Sequence, residues 1–238
     1  MTASMHSSTV SLATATIVAA LGLFALAPAP AAAQFGREPT ACMEIATSYA
    51  ERLAGLGEIA PLIETQSEAL RALDEIAGQE DVQPFDRLQK AEALLRGRDL
   101  WDASRDIRRV MRALDNASSV AAGWRGLYCP SAQPTSAAGL EGQARCDALS
   151  ATFVDRLRID NPSPQEIRER ERREAERQTL LKARITRADR DDLLQLWDIR
   201  IEAFDTLKTL ERALVVQEAG ETLLERVRSA GCINGESS

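Results

Sequence analysis

The chain has 238 residues, with 29 Lys+Arg against 36 Asp+Glu and a formal net charge of -7. Its 45% hydrophobic and 27% charged content is that of a folded protein, while 4% aromatics leave Leu, Ala, Ile and Val to build the core. The single histidine is His6, at the very start, so the rest of the chain carries no His triad, His–Cys nucleophile, His zinc site or imidazole switch.

The first charged side chain is Arg37. Ile17 to Ala27 is an 11-residue apolar run, the length of a signal-peptide core and too short for a membrane span. Pro28 and Pro30 end it, and Ala31-Ala32-Ala33 offers the small residues that a signal peptidase accepts. The expectation is a signal peptide over residues 1–33, removed on export, with no membrane span left in a periplasmic or secreted protein. No Lys or Arg precedes the apolar run, so an uncleaved anchor is the alternative.

Four cysteines follow: Cys42, Cys129, Cys146 and Cys232. An even number in an exported chain points to two disulfides, and the wide spacing offers no C-x-x-C redox or zinc pair. The stretch Cys42-Met-Glu-Ile-Ala-Thr-Ser-Tyr-Ala-Glu-Arg-Leu53 lies without a gap over Cys146-Asp-Ala-Leu-Ser-Ala-Thr-Phe-Val-Asp-Arg-Leu157. The closing cysteines repeat almost the same interval. An internal duplication follows: a first unit over 34–129, a Ser/Ala/Gly/Pro-rich linker over 130–142 and a second unit over 143–238. Leu100-Trp101-Asp102 also matches Leu196-Trp197-Asp198, though only with gaps. If each ancestral unit carried its own bridge, the pairs are Cys42–Cys129 and Cys146–Cys232. The alternative of Cys129–Cys146 with Cys42–Cys232 is also sterically easy for a flexible linker.

In the first unit, Ile45, Tyr49, Leu53 and Leu56 mark one helix face, which Gly55, Gly57 and Pro61 break. The periodicity resumes through Ile63, Leu70, Leu73 and Ile76. After a turn at Gly78 to Pro84, a single long helix is expected from Asp86, burying Leu88, Ala91, Leu95, Ile107, Met111, Leu114 and Ala121. Asp160 to Pro164 punctuates the second unit in the same way, and Trp197, Ile201, Phe204, Leu207 and Leu214 continue it. Alternating β-branched runs are absent. The expected fold is all-α: an elongated helical bundle made of two tandem disulfide-clipped helical hairpins, with Trp101 and Trp197 packing the hairpins.

Two charged features remain. Glu166 to Arg177 holds five Glu and five Arg in twelve residues, with Glu166/Arg170 and Glu169/Arg173 at i,i+4. Such pairs stabilise a solvated helix by a few tenths of a kcal/mol each; the functional reading is a docking surface for another helix. Arg105, Arg108, Arg109 and Arg112 share one stripe, interleaved with Asp102 and Asp106, and form a candidate anion-binding site. Phosphate loops and nucleophile elbows are absent, so the expectation is no enzyme, no cofactor and no metal. An acidic chain with scattered arginines is not expected to bind nucleic acid. The functional expectation is protein–protein contact in the bacterial envelope, as a scaffold, adaptor, chaperone or secretion- or pilus-assembly subunit, with self-association compatible with such a surface. The alternative is a binding module for an anionic envelope polymer through the arginine stripe.

Overall fold

A computed structural model describes residues 40–129, 139–157 and 162–232. The signal peptide expected over 1–33 lies outside the described residues, as do positions 130–138 of the linker and positions 160 and 161 of the second unit's turn. The described chain forms seven α-helices and no strand: α1 (Ala41–Ala54), α2 (Ala60–Ala77), α3 (Pro84–Leu95), α4 (Arg98–Tyr128), α5 (Gly142–Arg156), α6 (Pro164–Lys182) and α7 (Arg187–Ser229). At 1.5 Å per residue the 43 residues of α7 extend about 65 Å.

Local sequence sets where these helices start. Thr40, Ser163 and Thr186 cap α1, α6 and α7, accepting from the backbone N–H of Met43, Glu166 and Asp189 at 3.3, 3.1 and 3.1 Å. Pro61, Pro84 and Pro164 sit in the first turns of α2, α3 and α6, where no intrahelical N–H is lost. Gly57, at φ +83°, makes the turn out of α1. That turn is held from two sides. Gln217 of α7 donates to the carbonyls of Leu53 and Gly57 at 3.1 and 3.0 Å, and Arg109 of α4 donates to the carbonyl of Leu56 at 2.7 Å.

The long helix expected from Asp86 is interrupted. α3 ends at Leu95, and α4 starts at Arg98. A Cβ at Gly97 would come within 2.8 Å of the Leu94 carbonyl oxygen, so only glycine fits the break. α7 is continuous over the matching stretch of the second unit.

Both disulfides pair within their units. Cys42 bonds Cys129 across 87 residues and Cys146 bonds Cys232 across 86, with Cα separations of 4.8 and 5.7 Å. The two units follow one another in sequence but share one core. α1 lies against α7 and α5, and α4 also meets both. Met43, Ala46, Ala50 and Leu53 of α1 pack with Val110 and Ala117 of α4, Phe153 and Val154 of α5, and Leu210, Val216 and Val227 of α7. Small residues let the backbones close in: a Cβ on Gly220 would stand 3.2 Å from the Ala50 Cα. At the entrances of α1 and α5, Thr40 donates to the Asp147 carboxylate at 2.7 Å. A second cluster joins Leu70 and Leu73 of α2, Leu88 and Ala91 of α3, and Leu196, Ala203, Phe204 and Leu207 of α7. Side chains such as Leu73 and Leu210, fully buried, contribute about 1.5–3 kcal/mol each.

Counting from the cysteines sets the two halves in one register. Counted from Cys129 and Cys232, the start of α3 at Pro84 falls on the start of α7 at Arg187. Buried Ile107, Val110, Ala117 and Ala121 fall on buried Leu210, Ala213, Gly220 and Leu224. Counted from Cys42 and Cys146, the start of α2 at Ala60 falls on that of α6 at Pro164. In this register Trp101 matches Phe204, not Trp197, so the gapped Leu-Trp-Asp likeness is not the structural correspondence.

Candidate interaction surface on α4

The four arginines of the sequence stripe all lie exposed on α4, but they do not act alike. Arg109 is tied to the Leu56 carbonyl and lies 3.5 Å from Asp106, so it holds the α1–α2 turn. Arg112 donates to the backbone carbonyl of Arg108 at 3.2 Å. Arg105 and Arg108 have no carboxylate within salt-bridge distance among the described residues. Of the two interleaved acids, Asp102 lies 3.6 Å from Arg98 and Asp106 serves Arg109, so three of the four guanidinium groups have no carboxylate partner among the described residues.

Trp101 begins this stripe and is 70% exposed, so it does not pack the hairpins as expected. Beside it runs a groove of about 700 Å³ between α4 and α7, lined by Leu100, Ile107, Arg108, Met111, Ile199 and Glu202. Trp197, by contrast, is half-buried. Its indole N–H donates to the Arg173 carbonyl at 2.9 Å, and the Arg177 guanidinium lies 5.2 Å from the ring centre.

The charged helix α6 is not simply solvated. Two of its arginines make the expected pairs, with Arg170 3.2 Å from Glu166 and Arg173 2.9 Å from Glu169. Its inner face docks on α7 of the same chain. Arg173 is 3% exposed and lies 3.2 Å from Asp74 of α2. Asp74 also accepts from Arg200 of α7 at 2.8 Å, and Arg200 is bonded to Glu176. Arg170 Nη2 stands 2.8 Å from Asp205 Oδ1, a close charge contact without good hydrogen-bond alignment. Arg170, Arg173 and Lys208 surround the Phe204 ring with centroid distances of 5.6, 5.0 and 5.8 Å.

Charge states follow from these contacts. Burial works against the Arg200 cation, but hydrogen bonds to Glu176 and Asp74 outweigh it and hold its pKa above the ordinary value. The hydrogen bond from Arg172 holds the Glu169 carboxyl below its usual range, against burial, and the charges of Arg172 and Arg173 add to the effect. The network of Asp74, Arg173, Glu176 and Arg200 acts as a latch joining α2, α6 and α7. Asp74, Arg173, Glu176 and Arg200 were not marked by any local spacing. The cysteine-set register places Gly97 opposite Arg200, and only there does the sequence hint that the second unit treats this level differently.

Among the described residues no cluster of His, Cys, Asp or Glu is arranged to hold a metal ion, and no helix is long and apolar enough to cross a membrane. Comparison with protein-family models, with curated proteins and with solved structures finds no match to this chain.

Proposed function

We propose that the chain is an exported, non-enzymatic helical protein that works through protein–protein contact in the bacterial envelope, as a scaffold, adaptor, chaperone or secretion- or pilus-assembly subunit. The observation that carries this reading is the bare Trp101 on α4, beside unneutralised arginines, on a body clipped by two disulfides. Tryptophan and arginine are the side chains that dominate the energetics of protein interfaces. Internal disulfides favour an oxidising compartment, in keeping with the leader at the start of the sequence.

The anionic-polymer reading is supported by Arg105, Arg108 and Arg112, whose charges no carboxylate among the described residues offsets. Crosslinking in intact cells, followed by mass spectrometry of the purified chain, separates the two. Recurrent crosslinks from one protein to α4 support the first reading. Retention on a peptidoglycan or polyanion matrix that salt abolishes, with no protein crosslink, replaces it by the second. Export is checked on the same material: the envelope form should begin at Gln34, and full-length chain confined to the cytoplasm would defeat the proposal.

A further inference from the structure

The internal repeat itself shows what covers the stripe that α4 leaves bare. In the cysteine-set register, Trp101, Asp102, Arg105 and Arg109 match Phe204, Asp205, Lys208 and Arg212. In the second unit that stripe is covered by α6. Arg170 and Arg173 lie over the Phe204 ring, Arg170 reaches Asp205 at 2.8 Å, and Glu166 stands 3.7 Å from Arg212. The covering helix thus carries a Glu and an Arg four residues apart and runs antiparallel to α7. In the first unit the helix that matches α6 is α2. Its Gln66, Ala69 and Leu73 stand where α6 has Arg170, Arg173 and Arg177, and all three are buried in the core. Gln66 even donates to the Ala203 carbonyl of α7, at 3.0 Å. α2 meets α7 as well as α4, and nothing among the described residues takes the place over Trp101 that α6 takes over Phe204.

The acid and base needed to receive such a helix are retained on α4. Asp102 keeps the place of Asp205, and Arg105 and Arg109 keep those of Lys208 and Arg212. We propose that Trp101, Asp102 and Arg105 form a docking stripe for a helix of a partner protein that carries Glu-x-x-x-Arg and runs antiparallel to α4. Its arginine lies over the indole and on Asp102, and its glutamate faces Arg105 and Arg109. A second copy of this chain is not the occupant, because its α6 arginines are already committed to its own Phe204 and Asp205. The inference rests on the protein-contact reading above and names the partner's chemistry.

The test uses the exported, oxidised protein and a fluorescein-labelled synthetic peptide with the sequence of residues 163–182, read by fluorescence anisotropy. The peptide should bind, and Trp101→Ala should weaken it about ten-fold or more, the scale of losing an interface anchor. Asp102→Arg should weaken the parent peptide similarly. The Arg170→Glu peptide should bind poorly to the parent protein and recover on the Asp102→Arg protein. Both substituted residues are exposed, and unchanged helical circular dichroism verifies that the variants are folded. No binding, binding indifferent to Trp101→Ala, or no recovery on charge exchange overturns the proposal. So does displacement of the peptide by dextran sulfate as effectively as by unlabelled peptide, which marks a mere polyanion surface, or a Trp101-dependent dimer in sedimentation. Cell-envelope crosslinks to a protein that persist with Trp101→Ala remove this site but leave the protein-contact function standing. Absence of any protein crosslink from the parent chain removes both.

Discussion

Replacing Asp74 by alanine should destabilise the protein by about 3 kcal/mol. Asp74 accepts from Arg173 Nη1 and Nη2 at 3.3 and 3.2 Å and from Arg200 Nε at 2.8 Å. Both guanidinium groups are buried, with side chains 3% and 8% exposed, so neither can turn to water when the carboxylate goes. Each keeps one partner, Glu169 for Arg173 and Glu176 for Arg200, so the loss falls short of stranding a lone buried charge. Breaking a buried pair costs about 3–5 kcal/mol. The side chain of Asp74 is itself 36% exposed, and solvent screening of its own charge places the effect at the lower end. Urea unfolding followed by far-UV circular dichroism measures it. A companion variant, Asp74→Leu with Arg173→Leu and Arg200→Met, removes the charges together and should cost less than Asp74→Ala alone, because no buried guanidinium is left underpartnered. A loss below about 1 kcal/mol for Asp74→Ala, or a triple variant less stable than the single one, would refute the latch.

Replacing either cysteine pair by serine should lower stability by up to about 4.5 kcal/mol in the chain-entropy model, given closed loops of 87 and 86 residues; a drop below about 1 kcal/mol for both pairs in urea titration contradicts it. Gly220→Ala should be near neutral, since about 1 kcal/mol of helix propensity offsets the tight approach to Ala50, whereas Gly220→Leu should cost about 2–3 kcal/mol by forcing α1 from α7. A leucine variant with the parent's thermal midpoint shows the approach to be loose. The depressed Glu169 pKa contributes stability that is present above its unfolded value of 4.5 and is lost as pH falls through the lower folded value. Glu169→Gln should therefore flatten the acid limb of the stability–pH curve below that point, and a curve parallel to the parent's discounts the role of Glu169.

The helix content and the disulfide pairing were legible because both are written redundantly. Apolar periodicity marks each helix, and a duplicated Cys-to-Leu block implies that each unit closes on itself. The turn at Gly57 was legible too, since two glycines and Pro61 crowd one stretch. The break at Gly97 was not. A single glycine in a helical pattern costs only about 1 kcal/mol and is usually tolerated, and the carbonyl that forbids a side chain there is visible only in space. α6 misled through composition: ten charges in twelve residues suggest a wet helix, yet the partners that bury Arg173 and Arg200 come from α2, separated by 99 and 126 residues. The four arginines of the stripe lie exposed on α4, but nothing in their spacing distinguishes Arg109, which braces a turn, from Arg105 and Arg108, which have no carboxylate partner among the described residues.

The cysteines occur along the chain in the order in which they pair: first with second, third with fourth. A chain delivered amino-terminus first into an oxidising compartment can therefore reach its native connectivity by joining each new thiol to the one waiting, with no bridge to be exchanged later. Packing keeps a different timetable. Met43, Ala46, Ala50 and Leu53 find their cover largely on α7, as far along as Val227. In such a delivery, covalent closure of the leading half would precede burial of much of its apolar face, and the half-delivered protein would be a ring with an open seam, sealed when the last helix arrives.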